Sequence, residues 1–225
     1  MDLSPLEKKV GLKFKNLALH EQAFTHRSYL NEHADSDKHN ERLEFLGDAV
    51  VELIVTHFLF DKFPDKPEGE LTNLRAALVR RNSLSVIGEE LGFEDYVRLS
   101  KGESKNSGKA KSVILSNATE AFIGSLYLDL GLPAVEKFLN KFLLPKLEQI
   151  VIEESHIDAK SSFQEKVQER NGVTPHYKTE NVSGPDHDRQ FVVGVYINDH
   201  LIATGEGTSK REAEMAAATK ALETL

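Results

Sequence analysis

The sequence predicts an all-α domain followed by a small α+β module of order α-β-β-β-α. Three observations carry this. Helical periodicity dominates residues 5–150. Past residue 152 the pattern shortens to the two-residue alternation of a half-buried strand, as in Phe191, Val193, Val195 and Ile197. Two Ser-x-x-Glu helix-start signals bracket the strand-like runs. The expected division is residues 1–152, a linker EESHI at 153–157, and 158–225.

In the first part, helices are expected near 5–11, 17–29, 40–62, 70–90, 113–129 and 132–150, punctuated by Pro64, Pro67, Gly69, Gly92, Gly131 and Pro133. The run KGESKNSGKAK (101–111) carries Lys101, Lys105, Lys109 and Lys111. It is expected to be a mobile basic loop, either simply solvated or in contact with phosphate. In the second part SSFQEKVQERN reads as a helix opened by Ser162-x-x-Glu165. TPHYKTE, RQFVVGVYI and LIATGE read as strands, and Asn198-Asp199 suits the tight turn of a hairpin. An Ala-rich helix opens at Ser209-x-x-Glu212.

Composition excludes several classes. The 225 residues are 40% hydrophobic, enough for a real core. There is no Cys, hence no disulfide and no Cys-based zinc site, which fits a reducing, cytoplasmic location. The start, MDLSPLEKKVGLKF, lacks the apolar core of a signal peptide. No apolar run approaches the about 18 residues that span a bilayer, so no membrane partner is expected. The net charge of −8 argues against nucleic acid, but a local basic patch overrides net charge.

The stretch HNERLEFLGDAVVELIV (39–55) is unusual. Glu41, Glu44, Asp48 and Glu52 share one helical face, with Leu43, Leu46, Val50, Leu53 and Ile54 opposite. Phe45, Val51 and Val55 flank the acids, so the helix is expected to be buried nearly all round. Glu52 is read as solvated. A stack of like charges in apolar surroundings needs protonation or a cation to compensate it. Hard oxygen donors favour Mg²⁺ over zinc. One helix face cannot surround an ion. The partner expected is SVILSNATEAFIGSLYLDL (112–130), apolar nearly all round but with Asn117 and Glu120 on one face. Gly47 costs about 1 kcal/mol against Ala within a helix, so it is read as a close-packing position, with a dimer interface as one place for it.

The C-terminal module resembles a double-stranded-RNA-binding domain over its whole length. SSFQEKVQE, GPDH (184–187) and GEGTSKREAEMAAATKAL (205–222) carry the resemblance. Such domains read duplex RNA by shape, because its deep major groove is closed to side chains. The resemblance implies minor-groove contacts from Gln164 and His187, and phosphate contacts from Ser209, Lys210 and Arg211. Residues 158–225 hold 8 Lys and Arg against 11 Asp and Glu. Affinity is therefore expected to be modest and strongly salt-dependent.

HNERLEFLGDAV looks like the signature of bacterial ribonuclease III. FTHRSYLNE (24–32), EGELTNLRAALVRRNSL (68–84) and ILSNATEAFIGSLYLD (114–129) match its other segments, in the right order. With the C-terminal module the resemblance covers essentially the whole chain. It implies an all-helical nuclease domain that works as a homodimer, one site facing each strand of an RNA duplex. It further implies two Mg²⁺ ions (Mn²⁺ able to substitute), 5′-phosphate and 3′-hydroxyl products, and roles in processing ribosomal and messenger RNA. Glu44, Asp48, Asn117 and Glu120 would hold the metal, with Glu44, Asp48 and Glu120 catalytic and Glu41 and Glu68 auxiliary acids.

The family pattern at position 117 is Asp, and this chain has Asn117. An amide oxygen can ligate Mg²⁺ but carries no charge, so three carboxylates remain. Asn117 leaves three readings open: a working natural variant, an engineered change that traps RNA uncut, or a member that binds without cutting. The last is the rival to the enzyme reading: a catalytically silent double-stranded-RNA-binding dimer. Retention of Glu44, Asp48 and Glu120 opposes it.

Overall fold

The computed structural model describes every residue except 34–37, 106, 153–158, 186–188 and 225. The chain divides into two units, Met1–His156 and Ile157–Leu225. The linker expected at 153–157 lies outside the described residues.

The first unit is all-α. It comprises α1 (Ser4–Val10), α2 (Leu17–Ala23), a 3₁₀ turn (Arg27–Asn31), α3 (Glu41–Lys62), α4 (Glu68–Val79), α5 (Arg81–Leu91), α6 (Lys109–Leu130), α7 (Leu132–Phe142) and α8 (Lys146–Ile152). α6 is the central element and packs against α2, α3, α5 and α7. Its Phe122 ring meets Phe14, Phe24, Phe93 and Phe138 at centroid distances of 5.2–5.8 Å, within the range of favourable aromatic pairs.

The crossing of α3 and α6 sets the position of every acidic residue singled out above. A Cβ on Gly47 would lie 1.8 Å from the Glu120 carbonyl oxygen, and one on Gly124 would lie 2.2 Å from that of Leu43. The two helices therefore meet backbone to backbone, each through a glycine of its own. This places Gly47 inside one chain, not at a dimer interface.

Several expectations need correction. α3 is not buried all round: Phe45 is 81% exposed, Leu53 60% and Phe60 68%. Its inner face meets α6, and the face bearing these residues is left largely uncovered by the described residues. The helix expected over 17–29 stops at Ala23, because the next residues turn to pair with a distant segment. His26 N donates to Arg98 O (3.1 Å) and Arg98 N to Phe24 O (2.8 Å). The helix expected over 70–90 breaks at Arg80, which is extended (φ −59°, ψ 148°). Ser83 Oγ donates across the break to Ala77 O (3.2 Å), satisfying a carbonyl that the helix no longer serves. The helix expected over 132–150 is interrupted before Lys146, where Pro145 lacks an N–H and disfavours a helical residue before it. The basic segment is shorter than a 101–111 loop, since Glu103–Lys105 form a 3₁₀ turn and Lys109 and Lys111 already belong to α6. Lys111 is paired with Glu94.

The second unit contains α9 (Ala159–Asn171), β1 (His176–Ser183), β2 (Gln190–Ile197), β3 (His200–Gly207) and α10 (Lys210–Leu222). The sheet is antiparallel in the order β1-β2-β3, with His176 opposite Tyr196 and Phe191 opposite Gly207. Val193 and Val195 are buried, as the alternation requires. The β2–β3 turn uses Asn198 at φ 52°, a left-handed conformation that Asn tolerates. A Cβ on Gly205 would lie 2.2 Å from Ala217 N. β3 thus lies directly on α10, which explains the run of buried alanines, Ala213, Ala217, Ala218 and Ala221. α9 starts at Ala159, so Ser162 lies within its first turn and does not cap it. Ser209 does cap α10, accepting from Glu212 N (3.2 Å). The Glu212 carboxylate accepts from Thr208 N (2.8 Å) and Thr208 Oγ1 (2.7 Å), so the reciprocal half of the box falls one residue earlier than expected.

Candidate active site

One helical turn separates Glu44 from Asp48 on α3, and nearly one turn separates Asn117 from Glu120 on α6. The crossing brings the two pairs together, because the Glu120 carbonyl sits at Gly47, between Glu44 and Asp48 in sequence. Glu44, Asn117 and Glu120 are half-buried; Asp48 is exposed.

These groups lie close enough to act on one another. Burial, followed by the charges of Asp48 and Glu44, pushes the Glu120 carboxyl up to about 7, while Arg81 draws it down. Burial, then Glu41 and Asp48, also raises Glu44, against a hydrogen bond donated by the Asn117 side chain. Like charges collected in a partly desolvated place favour the neutral acid.

Glu41 is exposed at the start of α3, 3.5 Å from Arg27 Nη1 and 3.7 Å from His39 Nδ1. Glu68 is not brought to the cluster within this chain. It opens α4 and lines a groove with Thr56, Phe60 and Arg75, on the C-terminal half of α3. Glu52 is exposed, as expected.

Among the described residues no three carboxylate or imidazole side chains already converge as a metal-binding group. The acids are coupled without forming a closed chelate. Their donor chemistry nevertheless fits Mg²⁺: every atom is a hard oxygen, and two of the carboxyls are held above their ordinary range by burial and by the charges of neighbouring acids. Asn117 completes the set. Its side chain acts on Glu44 as a donor, and an amide that donates through nitrogen keeps Oδ1 as an acceptor for a cation.

Sequence reading missed two groups of residues here. Arg81, at the start of α5, is the cation that acts on Glu120; nothing in its local sequence sets it apart from Arg80. His20 is fully buried, with Nε2 3.0 Å from Asp129 Oδ2 and Nδ1 2.8 Å from Ser125 Oγ. It ties α2 to the far end of α6, and burial lowers its pKa despite the carboxylate. These partners lie more than a hundred residues from His20 in sequence, and no periodicity reports them.

In the second unit Gln164 is exposed on α9, and Lys210 and Arg211 are exposed in the first turn of α10 beside the Ser209 cap. His187 lies outside the described residues.

Residues 16–147 match the ribonuclease-III-like family, and residues 159–225 match the double-stranded RNA binding motif. The chain belongs to the ribonuclease III family. Ribonuclease 3 of Streptococcus thermophilus is 45% identical over 221 residues, covering 98% of this chain and 96% of that protein. Ribonuclease 3 of Geobacillus kaustophilus is 47% identical over 222 residues, covering 98% and 89%. The crystal structure of the nuclease domain of ribonuclease III from Campylobacter jejuni superposes with a TM-score of 0.57 at 38% identity, covering 66% of this chain and 95% of that one. A second structure of the same domain, at TM-score 0.56 and covering 63% and 99%, concerns flexibility in its dimer-forming region. The all-α unit followed by an α-β-β-β-α unit is thus a ribonuclease III arrangement, and the chain is a ribonuclease III-type enzyme.

Proposed function

We propose that the chain cuts double-stranded RNA by divalent-metal-dependent hydrolysis, leaving 5′-phosphate and 3′-hydroxyl ends, as a cytoplasmic homodimer. Residues 1–152 act as the nuclease domain and 158–225 as the RNA-binding domain, joined by 153–157. The observation that carries this most is the coupling of Glu44, Asp48 and Glu120 where α3 crosses α6. Those carboxylates and the Asn117 amide oxygen would hold Mg²⁺ or Mn²⁺. When bound, the ions supply the Lewis acidity that activates water and steadies the leaving oxygen. The chain's own task is to fix four oxygens on two helices that cannot slide, because their backbones touch. Glu41 would add negative charge at the rim, and Glu68, remote within one chain, an outlying acid of the cleft. Gln164 and His187 would touch the minor groove, and Ser209, Lys210 and Arg211 the phosphates. The two exposed cations on α10 support this despite the net negative charge of residues 158–225. Among the described residues no helix is long and apolar enough to cross a membrane.

Dimerisation is supported by the outer face of α3. Phe45 stands out beside an apolar groove lined by Leu19, Leu46 and Leu128, and a two-fold axis would seat each Phe45 in the partner's groove. Phe45→Asp should convert the dimer to monomer in sedimentation, with the fold kept in far-UV circular dichroism and a melt that no longer depends on protein concentration. A variant that stays dimeric would rule this contact out.

The proposal is tested by Mg²⁺ titration of duplex cleavage by this chain and by Asn117→Asp. Binding is measured in parallel in Ca²⁺ without cutting, with Lys210→Ala/Arg211→Ala as the weakened control. A fourth carboxylate should lower the half-saturating Mg²⁺ by about tenfold, since charge count sets affinity at such sites. With Glu120 titrating about 7, protons compete with the ion. More Mg²⁺ should be needed at pH 6 than at pH 8. If only Asn117→Asp cuts, the unaltered chain is the silent binder that Asn117 alone favours. If both bind and neither cuts, the cluster is misassigned.

A further inference from the structure

We infer that Arg81 binds a phosphate of the RNA backbone at the cleavage site; the inference rests on the nuclease reading above. α5 lies antiparallel against α6. Thr119 Oγ1 donates to Leu84 O (3.1 Å) and Ser112 Oγ to Ser85 Oγ (3.0 Å). Gly88 faces Leu115, whose carbonyl oxygen lies 3.2 Å from where a Cβ would stand. Following this register one turn back along α5 from Leu84 reaches Arg81. The same turn along α6 runs from Thr119 to Glu120 and Ile123. Arg81 therefore flanks Glu120 from one side while Glu44 and Asp48 flank it from α3. The guanidinium is close enough to act on the Glu120 carboxyl.

Its bonding state is the second observation. Arg81 is exposed and makes no ion pair or hydrogen bond to any described residue. Arg27, Arg98 and Arg75 are engaged, with Glu41 (3.5 Å), Glu21 (3.1 Å) and Thr56 (3.0 Å); Arg42 and Arg80 are likewise unpaired among the described residues, and what sets Arg81 apart from them is its place beside Glu120. A guanidinium left unpaired beside the Glu120 carboxyl has its fork of donors available for an anion. Phosphate matches that fork in two parallel hydrogen bonds. The site also needs such a group. A polyanionic substrate must approach a cluster of carboxylates, and a fixed cation at its edge offsets that repulsion without occupying a metal-ligand position. The adjacent Arg80 points elsewhere, into a groove with Lys146 and Gln149, so the two arginines can be separated by experiment.

The full chain is assayed with a fluorescent RNA duplex in two ways. Single-turnover cleavage is followed at saturating enzyme in Mg²⁺, and binding in Ca²⁺ is measured across a salt series. Arg81→Ala should slow cleavage at saturation by about ten- to a hundredfold, as for loss of one charge-assisted contact. It should also reduce the slope of log affinity against log salt by about one. Arg81→Lys should restore the salt slope and part of the rate, because one charge remains but the fork is lost. Arg80→Ala should change neither rate nor thermal melt. Arg81→Ala cutting at the parental rate overturns the inference, and so does an equal slowing by Arg80→Ala, which would indicate general charge. If the unaltered chain and Asn117→Asp cut nothing, the nuclease reading fails on its own. Arg81 is then judged by binding, and an unchanged salt slope overturns it.

Discussion

Glu120→Gln should lose about a thousandfold or more of duplex cleavage and at the same time make the nuclease unit more stable. The loss follows from position. Residues that merely support a metal ligand typically contribute about ten- to a hundredfold, and Glu120 would be a ligand itself. The gain follows from linkage. In the folded chain burial and two neighbouring acids hold the Glu120 carboxyl about 7, above its ordinary 4.5. A carboxyl with a raised folded pKa opposes folding when ionised. The penalty is complete above pH 7, shrinks as pH falls, and vanishes below 4.5. Glutamine keeps the shape and removes the charge. Allowing for solvent screening of a half-buried group, the gain at pH 8 is about 1 kcal/mol, or about 2–4 °C in a chain of this size. Cleavage is measured in Mg²⁺ and thermal melts in EDTA at pH 8 and pH 5. Retained cleavage would remove Glu120 from the site. A melt unchanged at pH 8, or shifted equally at both pH values, would show that the crowding of charge is not felt. A residue costly to the fold is what a cation-binding role requires, and that is the case against a purely structural reading.

Much of this site was legible because its signal is local. Acids spaced by one turn within apolar stretches mark a helix face that the core cannot explain, and Glu44, Asp48 and Glu120 come near enough at the α3–α6 crossing for their charges to act on one another. What escaped depends on which helices become neighbours. Phe45 has the side chain of a core residue, yet the described residues leave its side of α3 uncovered. Arg81 gains its meaning from the register of α5 on α6. His20 finds Asp129 and Ser125 through the tertiary fold alone. The break at Arg80 has no Gly or Pro to announce it and depends on the Ser83 hydroxyl reaching Ala77. Pro145, by contrast, did announce the end of α7, and the apolar period on either side of it masked the signal.

Gly47→Ala separates helix propensity from tertiary packing most sharply, because they predict opposite signs. Within a helix the change should stabilise by about 1 kcal/mol. In this fold the new methyl would stand 1.8 Å from the Glu120 carbonyl oxygen, with Gly124 N only 2.9 Å away. These are backbone atoms of a buried helix, with no flexible side chain to swing aside. α3 and α6 must separate, and such overpacking costs about 3 kcal/mol or more, lowering the melt by about 6–12 °C. Gly124→Ala, at 2.2 Å from the Leu43 carbonyl oxygen, should be nearly as severe. Gly88→Ala meets Thr119 Oγ1 at 3.1 Å and should change stability by less than about 1 kcal/mol. The chain has no Trp, so far-UV circular dichroism is the measure. A Gly47→Ala chain as stable as its parent would mean that the helices do not touch there. Cleavage should fall further than stability in both severe variants. The separation that relieves the methyl also pulls Glu44 and Asp48 away from Asn117 and Glu120, so the two glycines hold the four oxygens together as well as the helices.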